Sequence, residues 1–336
     1  MPCHFSGVAG IKLTKGRASQ RGCIASVPGR PMVCAAHGPM ATDVATLTTI
    51  TRLLVESPTM LADPYMVPVP WRLLDALPQG RPLRVGYYEN DGWFEPVPAC
   101  RRAVELTVQA LRERGHQLIP FQPPNIAHVM GLFAAAVTVD GGAYIRGLVD
   151  NDIPEPTHRV AYLLFRVPQW LRRFLCTVVA RRFNATKRLY DMFGKLPQTS
   201  AEMRAVNAQI DEYREQFVDR WHEHKLDVLV SPANVSVALP HDVPAQVLSA
   251  VCYTALQNVL DYPAGVVPCC SVTQTDVDRC RNEYPSSDRW YRLIKTANCD
   301  ADIVGLPVGV QCTALPYHEE MCLYAMQLIE DAVRRQ

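Results

Sequence analysis

The sequence reads as an α/β fold, and two features carry that reading. The first is a strand–helix–strand unit between residues 83 and 121. Residues 83–88 contain the strand formers Val85, Tyr87 and Tyr88 behind a Pro-rich linker, a helix follows over about 97–114 and stops at Gly115, and residues 118–121 form the next strand. A unit of that kind returns the chain to the same end of a sheet and builds a parallel pair. The second is repetition. Residues 226–231, 264–268 and 304–311 read as further strands, and helices at about 200–223, 244–258 and 317–335 separate or follow them. With 336 residues, 48% of them hydrophobic, the chain is long and apolar enough to bury a core.

Residues 1–40 are apolar pieces punctuated by Gly7, Gly10, Gly16, Gly22, Gly29, Pro31, Gly38 and Pro39, which suits loops and short strands. No element that starts a domain precedes them, so the chain is expected to begin in mid-fold. From Asp43, a helix N-cap, the residues Val44, Leu47, Ile50 and Leu54 recur at helical spacing and define an expected buried face. Asp140-Gly141-Gly142 reads as a turn after a helix rather than a ligand-binding loop. Thr199 and Glu202 form a capping box, in which each side chain satisfies an orphaned backbone donor. The last helix opens with Glu319 and Glu320 and closes with Arg334 and Arg335, the order that the helix dipole favours.

Charge and cysteine usage narrow the function classes. Thirty-four basic against 33 acidic residues leave a net charge of +1, so no global field draws the chain to nucleic acid. The 12 cysteines follow no C-x-x-C or disulfide-scaffold spacing, and reduced thiols in a cytoplasmic setting are expected. Met1 is not followed by a basic stretch and an apolar run of the secretory kind, and no charge-free apolar segment approaches the ~20 residues that span a bilayer. The reading is a soluble or peripheral protein.

The sharpest anomaly lies between Glu155 and Asp191, where no acidic residue occurs while Arg159, Arg166, Arg172, Arg173, Arg181, Arg182, Lys187 and Arg188 crowd among large apolar side chains. Pro168 divides the stretch into two helices meeting near residue 167. In the second, Trp170, Leu171, Phe174, Leu175 and Val178 share one broad side, and Arg172 and Arg173 can reach toward headgroups. Two readings stand: a helix lying in a membrane interface, or a core-facing helix with arginines at its wet edges.

A search for chemistry returns little. No G-x-S-x-G elbow, phosphate loop or dinucleotide fingerprint occurs. His222 and His224 stand two apart on a helix and diverge, so they cannot share a metal. Cys269 and Cys270 read as buried, inert thiols. Cys3-His4 has the residue types of a nucleophile and its base, but nothing in the sequence supplies the third group that would orient them. Neither a cofactor nor a metal is implied.

Three segments stop looking generic when taken together. Gly10-Ile11-Lys12-Leu13-Thr14-Lys15-Gly16-Arg17, Gly38-Pro39-Met40-Ala41-Thr42-Asp43-Val44 and Gly305-Leu306-Pro307-Val308-Gly309-Val310-Gln311 resemble, in order, three motifs of the amidase-signature family. Pro82-Leu83-Arg84-Val85-Gly86-Tyr87-Tyr88-Glu89, Leu226-Asp227-Val228-Leu229, Tyr262-Pro263-Ala264-Gly265-Val266-Val267-Pro268 and Gln311-Cys312-Thr313-Ala314-Leu315-Pro316 narrow the resemblance to its fatty-acid amide hydrolases. The resemblance implies one domain over 1–336 with a mixed central sheet flanked by helices, and a helical membrane cap inserted over 157–195. Arg166-Val167-Pro168-Gln169-Trp170 lies at the place of that cap and favours the membrane reading.

The activity implied is hydrolysis of long-chain fatty acyl amides to fatty acid and amine or ammonia. In that family a lysine activates a bridging serine, the serine activates the nucleophile, and glycine amides bind the oxyanion. Met1-Pro2-Cys3-His4-Phe5-Ser6-Gly7 resembles the stretch just after the nucleophile, so Lys12 is not expected to be the catalytic lysine, nor Ser6 the nucleophile. The chain is therefore expected to be a C-terminal portion with no catalytic residue, missing the N-terminal part of the domain and inactive alone. A non-catalytic, membrane-associated lipid-binding or regulatory isoform is the alternative. Val137, Thr138, Val251 and Trp290 fall at or near the family's lipid channel, with Thr138 replacing an aromatic. Leu13 stands where the family has Pro, and Thr42 where it has Arg. The partners implied are a fatty acyl amide or other lipid, an intracellular membrane surface and a second copy of the chain, with no nucleic acid.

Overall fold

The computed structural model describes residues 1–72, 80–150, 152–153, 159–168, 170–171, 174 and 184–333. Its strands are β1 (Ala9–Lys12), β2 (Met40–Ala41), β3 (Arg84–Tyr87), β4 (Gln117–Pro120), β5 (Val228–Pro232), β6 (Ala264–Ser271) and β7 (Pro307–Thr313). They form one seven-stranded mixed sheet in the order β2-β1-β6-β7-β5-β3-β4. The strand–helix–strand unit gives the parallel pair β3/β4, with Val85 opposite Leu118, and β5 joins it in parallel with Val85 opposite Val228. The other neighbours are antiparallel. The resulting α/β fold is the mixed sheet flanked by helices that the sequence implied.

Helix Pro98–Glu113 begins with Pro, which lacks a donor the first turn could not use, and buries Ala103, Val104, Thr107 and Leu111. It packs beside helix Glu319–Val333 on β6 and β7. Contact there is close enough that a Cβ on Gly265 would lie 2.1 Å from the Met326 sulfur. Helices Ile126–Thr138, Ser200–Glu223 and Cys252–Leu260 pack on one another. The Thr199/Glu202 capping box is present in both directions.

Several expectations shift. Helix Val44–Val55 is capped by Asp43, which accepts from Thr46 N at 2.7 Å, but its buried face is Val44, Leu47, Thr51 and Val55. Ile50 is 40% exposed. The heptad-like spacing from Val44 and Leu47 runs on to 51 and 55, and Thr51 satisfies its hydroxyl on Leu47 O at 2.7 Å. The start of the chain holds a short helix, Pro2–Ser6, closed by Gly7 in the left-handed region. The helix expected over 244–258 is two tight turns followed by Cys252–Leu260, because Val247 leaves helical dihedrals. Strand β7 begins at Pro307, since Gly305 at φ 94 turns the chain just before it. Helices Gln274–Glu283 and Arg289–Ala297 were not foreseen.

In the basic stretch, helix Arg159–Arg166 ends before Pro168 and helical backbone resumes at Trp170, so the division near residue 167 is present. Among the described residues no single helix is long and apolar enough to cross a membrane.

Candidate functional site

Parallel strands β3 and β5 both end at one edge of the sheet, where crevices of α/β folds gather ligands. The segments leaving that edge are built from buried polar contacts. Asp91 folds its own loop, its Oδ1 accepting from Trp93 N at 2.8 Å and Phe94 N at 3.1 Å. Burial raises the Asp91 carboxyl above the usual carboxylate range. Tyr253 stacks on Tyr88 at 6.2 Å and donates its hydroxyl to Phe94 O at 3.0 Å. Gln311 of β7 donates to Ser231 Oγ at 3.2 Å and to Tyr253 O at 3.1 Å. The start of helix Cys252–Leu260 is thereby fixed to three strands' worth of scaffold, and with it the half-buried Val251 at its N-cap.

Thr138 ends helix Ile126–Thr138 and is buried, its hydroxyl donating to Ala134 O at 2.9 Å. The hydroxyl is consumed, so any contact it makes with an apolar ligand is through its methyl group. Val137 beside it is half-buried. Trp290 is buried on helix Arg289–Ala297, whose N-cap Asp288 accepts from Tyr291 N at 2.9 Å.

These four residues sit on three separate elements, and helix Asn184–Phe193 touches all three. It packs on helix Ile126–Thr138 and on the turn Leu248–Val251, and its Arg188 donates to Asp288 Oδ2 at 2.8 Å. The Arg188 guanidinium lies 4.8 Å from the Phe94 ring centre and 4.7 Å from that of Tyr291. The sequence marked Arg188 only as one of a crowd of cations. Its partner stands 100 positions away, and no local pattern announces such a pairing.

A cavity of about 450 Å3 opens between helices Ile126–Thr138, Asn184–Phe193 and Ser200–Glu223, and a cleft of about 570 Å3 runs past Ser19 and Asp63. Neither is lined by Val137, Thr138, Val251 or Trp290. Of the residues expected at a membrane, Trp170 is 71% and Phe174 59% exposed, while Leu171 is half-buried. Leu175, Val178, Arg172 and Arg173 lie outside the described residues.

The residues dismissed as catalytic have structural work. His4 is buried, accepts from Gly309 N at Nδ1 (2.9 Å) and donates from Nε2 to Ser236 O (3.1 Å), so neither nitrogen is left for Cys3. Burial lowers its pKa to about 4 and keeps it neutral. Lys12 Nζ lies 3.4 Å from Asp261 Oδ1. Leu13 donates its N–H to His37 O at 3.2 Å, a bond that the family's proline could not make. Cys269 is buried and donates to Ala103 O at 3.3 Å.

Arg17 closes the first motif. It is 1% exposed, 2.6 Å from Glu320 Oε1 and 3.4 Å from Glu319 Oε2, and it donates to Val69 O. Glu319 also accepts from Thr14 N at 2.9 Å, and Glu320 from Arg72 N at 3.2 Å. The acidic opening of the last helix thus serves a buried ion cluster more than the helix dipole.

The model of the family named Amidase matches residues 1–323. The chain belongs to the amidase family. Within it, fatty acid amide hydrolase 1 of Caenorhabditis elegans is 43% identical over 335 residues, covering 99% of this chain and 58% of the relative. Fatty-acid amide hydrolase 1 of Sus scrofa is 36% identical over 333 residues, covering 98% and 56%. A solved structure of a fatty acid amide hydrolase superposes with a TM-score of 0.74 at 24% identity, over 99% of this chain and 54% of its own, and shows the shared fold. The amidase chain described here therefore spans a little over half the length of these relatives.

Proposed function

We propose that the chain forms the acyl-chain-binding and membrane-facing portion of a hydrolase that cleaves long-chain fatty acyl amides to fatty acid and amine or ammonia. The observation that carries this is the 43% identity, over 99% of the chain, to a protein named fatty acid amide hydrolase 1. Val137, Thr138, Val251 and Trp290 are the proposed lipid-channel residues, tied together by helix Asn184–Phe193. No residue of the chain is assigned as nucleophile, base or oxyanion donor, and residues 1–336 by themselves are proposed not to turn over an acyl amide.

The outward-facing Trp170 and Phe174 support docking on an intracellular membrane from the cytoplasmic side, over a cap at 157–195. A second copy of the chain is the proposed protein partner. The test pairs two readouts on purified 1–336: hydrolysis of a long-chain primary fatty acid amide, and flotation with phospholipid vesicles. The expected outcome is no hydrolysis above the spontaneous rate, with flotation that falls severalfold in Trp170→Ser/Phe174→Ser. Enzymatic turnover would sink the non-catalytic assignment, and flotation indifferent to those two substitutions would sink the membrane one.

A further inference from the structure

The exposed apolar side chains of this protein are not scattered evenly. Among the described residues thirteen large ones are exposed, and six of them, Tyr144, Leu148, Ile153, Leu163, Trp170 and Phe174, fall within one stretch of the chain. Singly exposed apolar residues need no explanation, but a concentration of them marks an interaction surface. Trp170 and Phe174 belong to the proposed cap over 157–195. Tyr144, Leu148 and the 90% exposed Ile153 precede it.

Tyr144 and Leu148 stand one turn apart on helix Ala143–Val149 and share a face. That helix is no loose appendage, because both of its ends are pinned to one turn of helix Arg159–Arg166. At its start, the Phe165 ring lies so close to Gly142 that a Cβ there has no room. At its end, Asp150 accepts from the Tyr162 hydroxyl at 2.5 Å and from Arg166 at 2.6 Å. The Arg166 guanidinium also lies 4.5 Å from the Tyr162 ring centre. Phe165 in turn meets Phe193 edge to face at 6.4 Å, which turns it toward the body of the fold and leaves Leu163 outside.

The charges suit phospholipid headgroups. The Asp150 carboxylate is held below its usual range by the Tyr162 hydroxyl and Arg166, so it is spent within the two-helix unit. The exposed Arg146 stands between Tyr144 and Leu148 in sequence, where its long side chain can reach phosphate while apolar neighbours sink deeper. Downstream, no acidic residue occurs between Glu155 and Asp191.

We propose that helix Ala143–Val149 and Ile153 dock on phospholipid, so that the membrane-facing surface begins at Tyr144 and is held rigidly to the cap. This rests on the membrane reading of Trp170 and Phe174 and extends it to an element outside the cap.

The test is partition of purified 1–336 onto vesicles of phosphatidylcholine and phosphatidylserine, measured by flotation and paired with sedimentation velocity in the absence of lipid. Tyr144→Ser/Leu148→Ser should weaken partition about tenfold, as two large side chains lose their burial in lipid, with the thermal melt unchanged because both are exposed in water. Tyr144→Phe/Leu148→Met, which keeps both apolar, should partition like the parent. A parent that floats and loses flotation in Trp170→Ser/Phe174→Ser, but not in Tyr144→Ser/Leu148→Ser, would overturn this inference and leave the membrane reading standing. A parent that does not float would overturn both. Loss of a dimer in Tyr144→Ser/Leu148→Ser without change in partition would overturn it in favour of a second copy of the chain as the occupant.

Discussion

Replacing Arg17 by Met is the most informative single perturbation of this fold. The guanidinium is 1% exposed and its two carboxylate partners 0% and 2%, so water cannot compensate for its loss. Met fills much of the volume, which removes cavity formation from the comparison and leaves the electrostatics. Two buried carboxylates then face each other without a cation, with Glu319 and Glu320 still held in place by Thr14 N and Arg72 N. Removing one partner of a buried ion pair costs about 3–5 kcal/mol, and here the Val69 carbonyl is orphaned as well. At a urea dependence of ~3 kcal/mol/M the unfolding midpoint should fall by about 1–1.7 M. The control is Arg17→Met with Glu320→Gln, which removes one stranded charge and should recover at least ~1 kcal/mol. Equilibrium urea unfolding followed by far-ultraviolet circular dichroism measures both. A single variant within ~1 kcal/mol of the parent, or a double variant less stable than the single, would refute the reasoning.

Two further predictions concern buried clasps. His4 has its pKa depressed from 6.5 to about 4, so the unfolded state takes up a proton that the folded state refuses. Stability from this group is complete above the unfolded value and is lost as pH falls from about 6.5 toward 4, by about 3 kcal/mol, and His4→Gln should flatten that limb of a stability–pH curve. Arg188→Ala should cost about 2–3 kcal/mol by stranding Asp288, and should expose helix Asn184–Phe193 to limited proteolysis before the rest of the chain. Arg188→Lys, which keeps charge without the planar fork, should recover only part of that loss.

The central strands were legible because β5 and β7 are largely apolar runs bounded by turn residues, as burial on both faces requires, and because β3 carries the strand formers Val85 and Tyr87. Register was not. The shift at Pro268 and Cys270 follows from a missing donor in mid-strand, yet the sequence does not say which partner tolerates it. The two missed helices carried weak versions of known signals: Thr273 and Asp276 form a capping box with Asp where Glu or Gln is usual, and Asp288 caps Arg289–Ala297. Helix Pro2–Ser6 was invisible because five residues hold no period, and it stands through the contacts of His4. At the candidate site the proposed lipid-channel positions came from family resemblance, while the clasp beside them, Arg188 to Asp288, is a tertiary pairing no local rule encodes.

The position of β1 has a consequence for how the chain reaches its fold. It is an inner strand, paired with Val266, Gly265 and Ala264 of β6, and the following Thr14 is tied to Glu319 across 305 positions of sequence. Closing a loop of that length costs entropy before any contact repays it, so β1 pairs with β6 late in folding, after its local pairing with Met40 and Ala41 of β2. During synthesis the side of β1 that faces β6 stays unpaired until residues 264–266 have been made. The strand Ala-Gly-Ile-Lys keeps a lysine at its end, and Gly10 at its centre lowers its tendency to pair with the wrong edge in the interval.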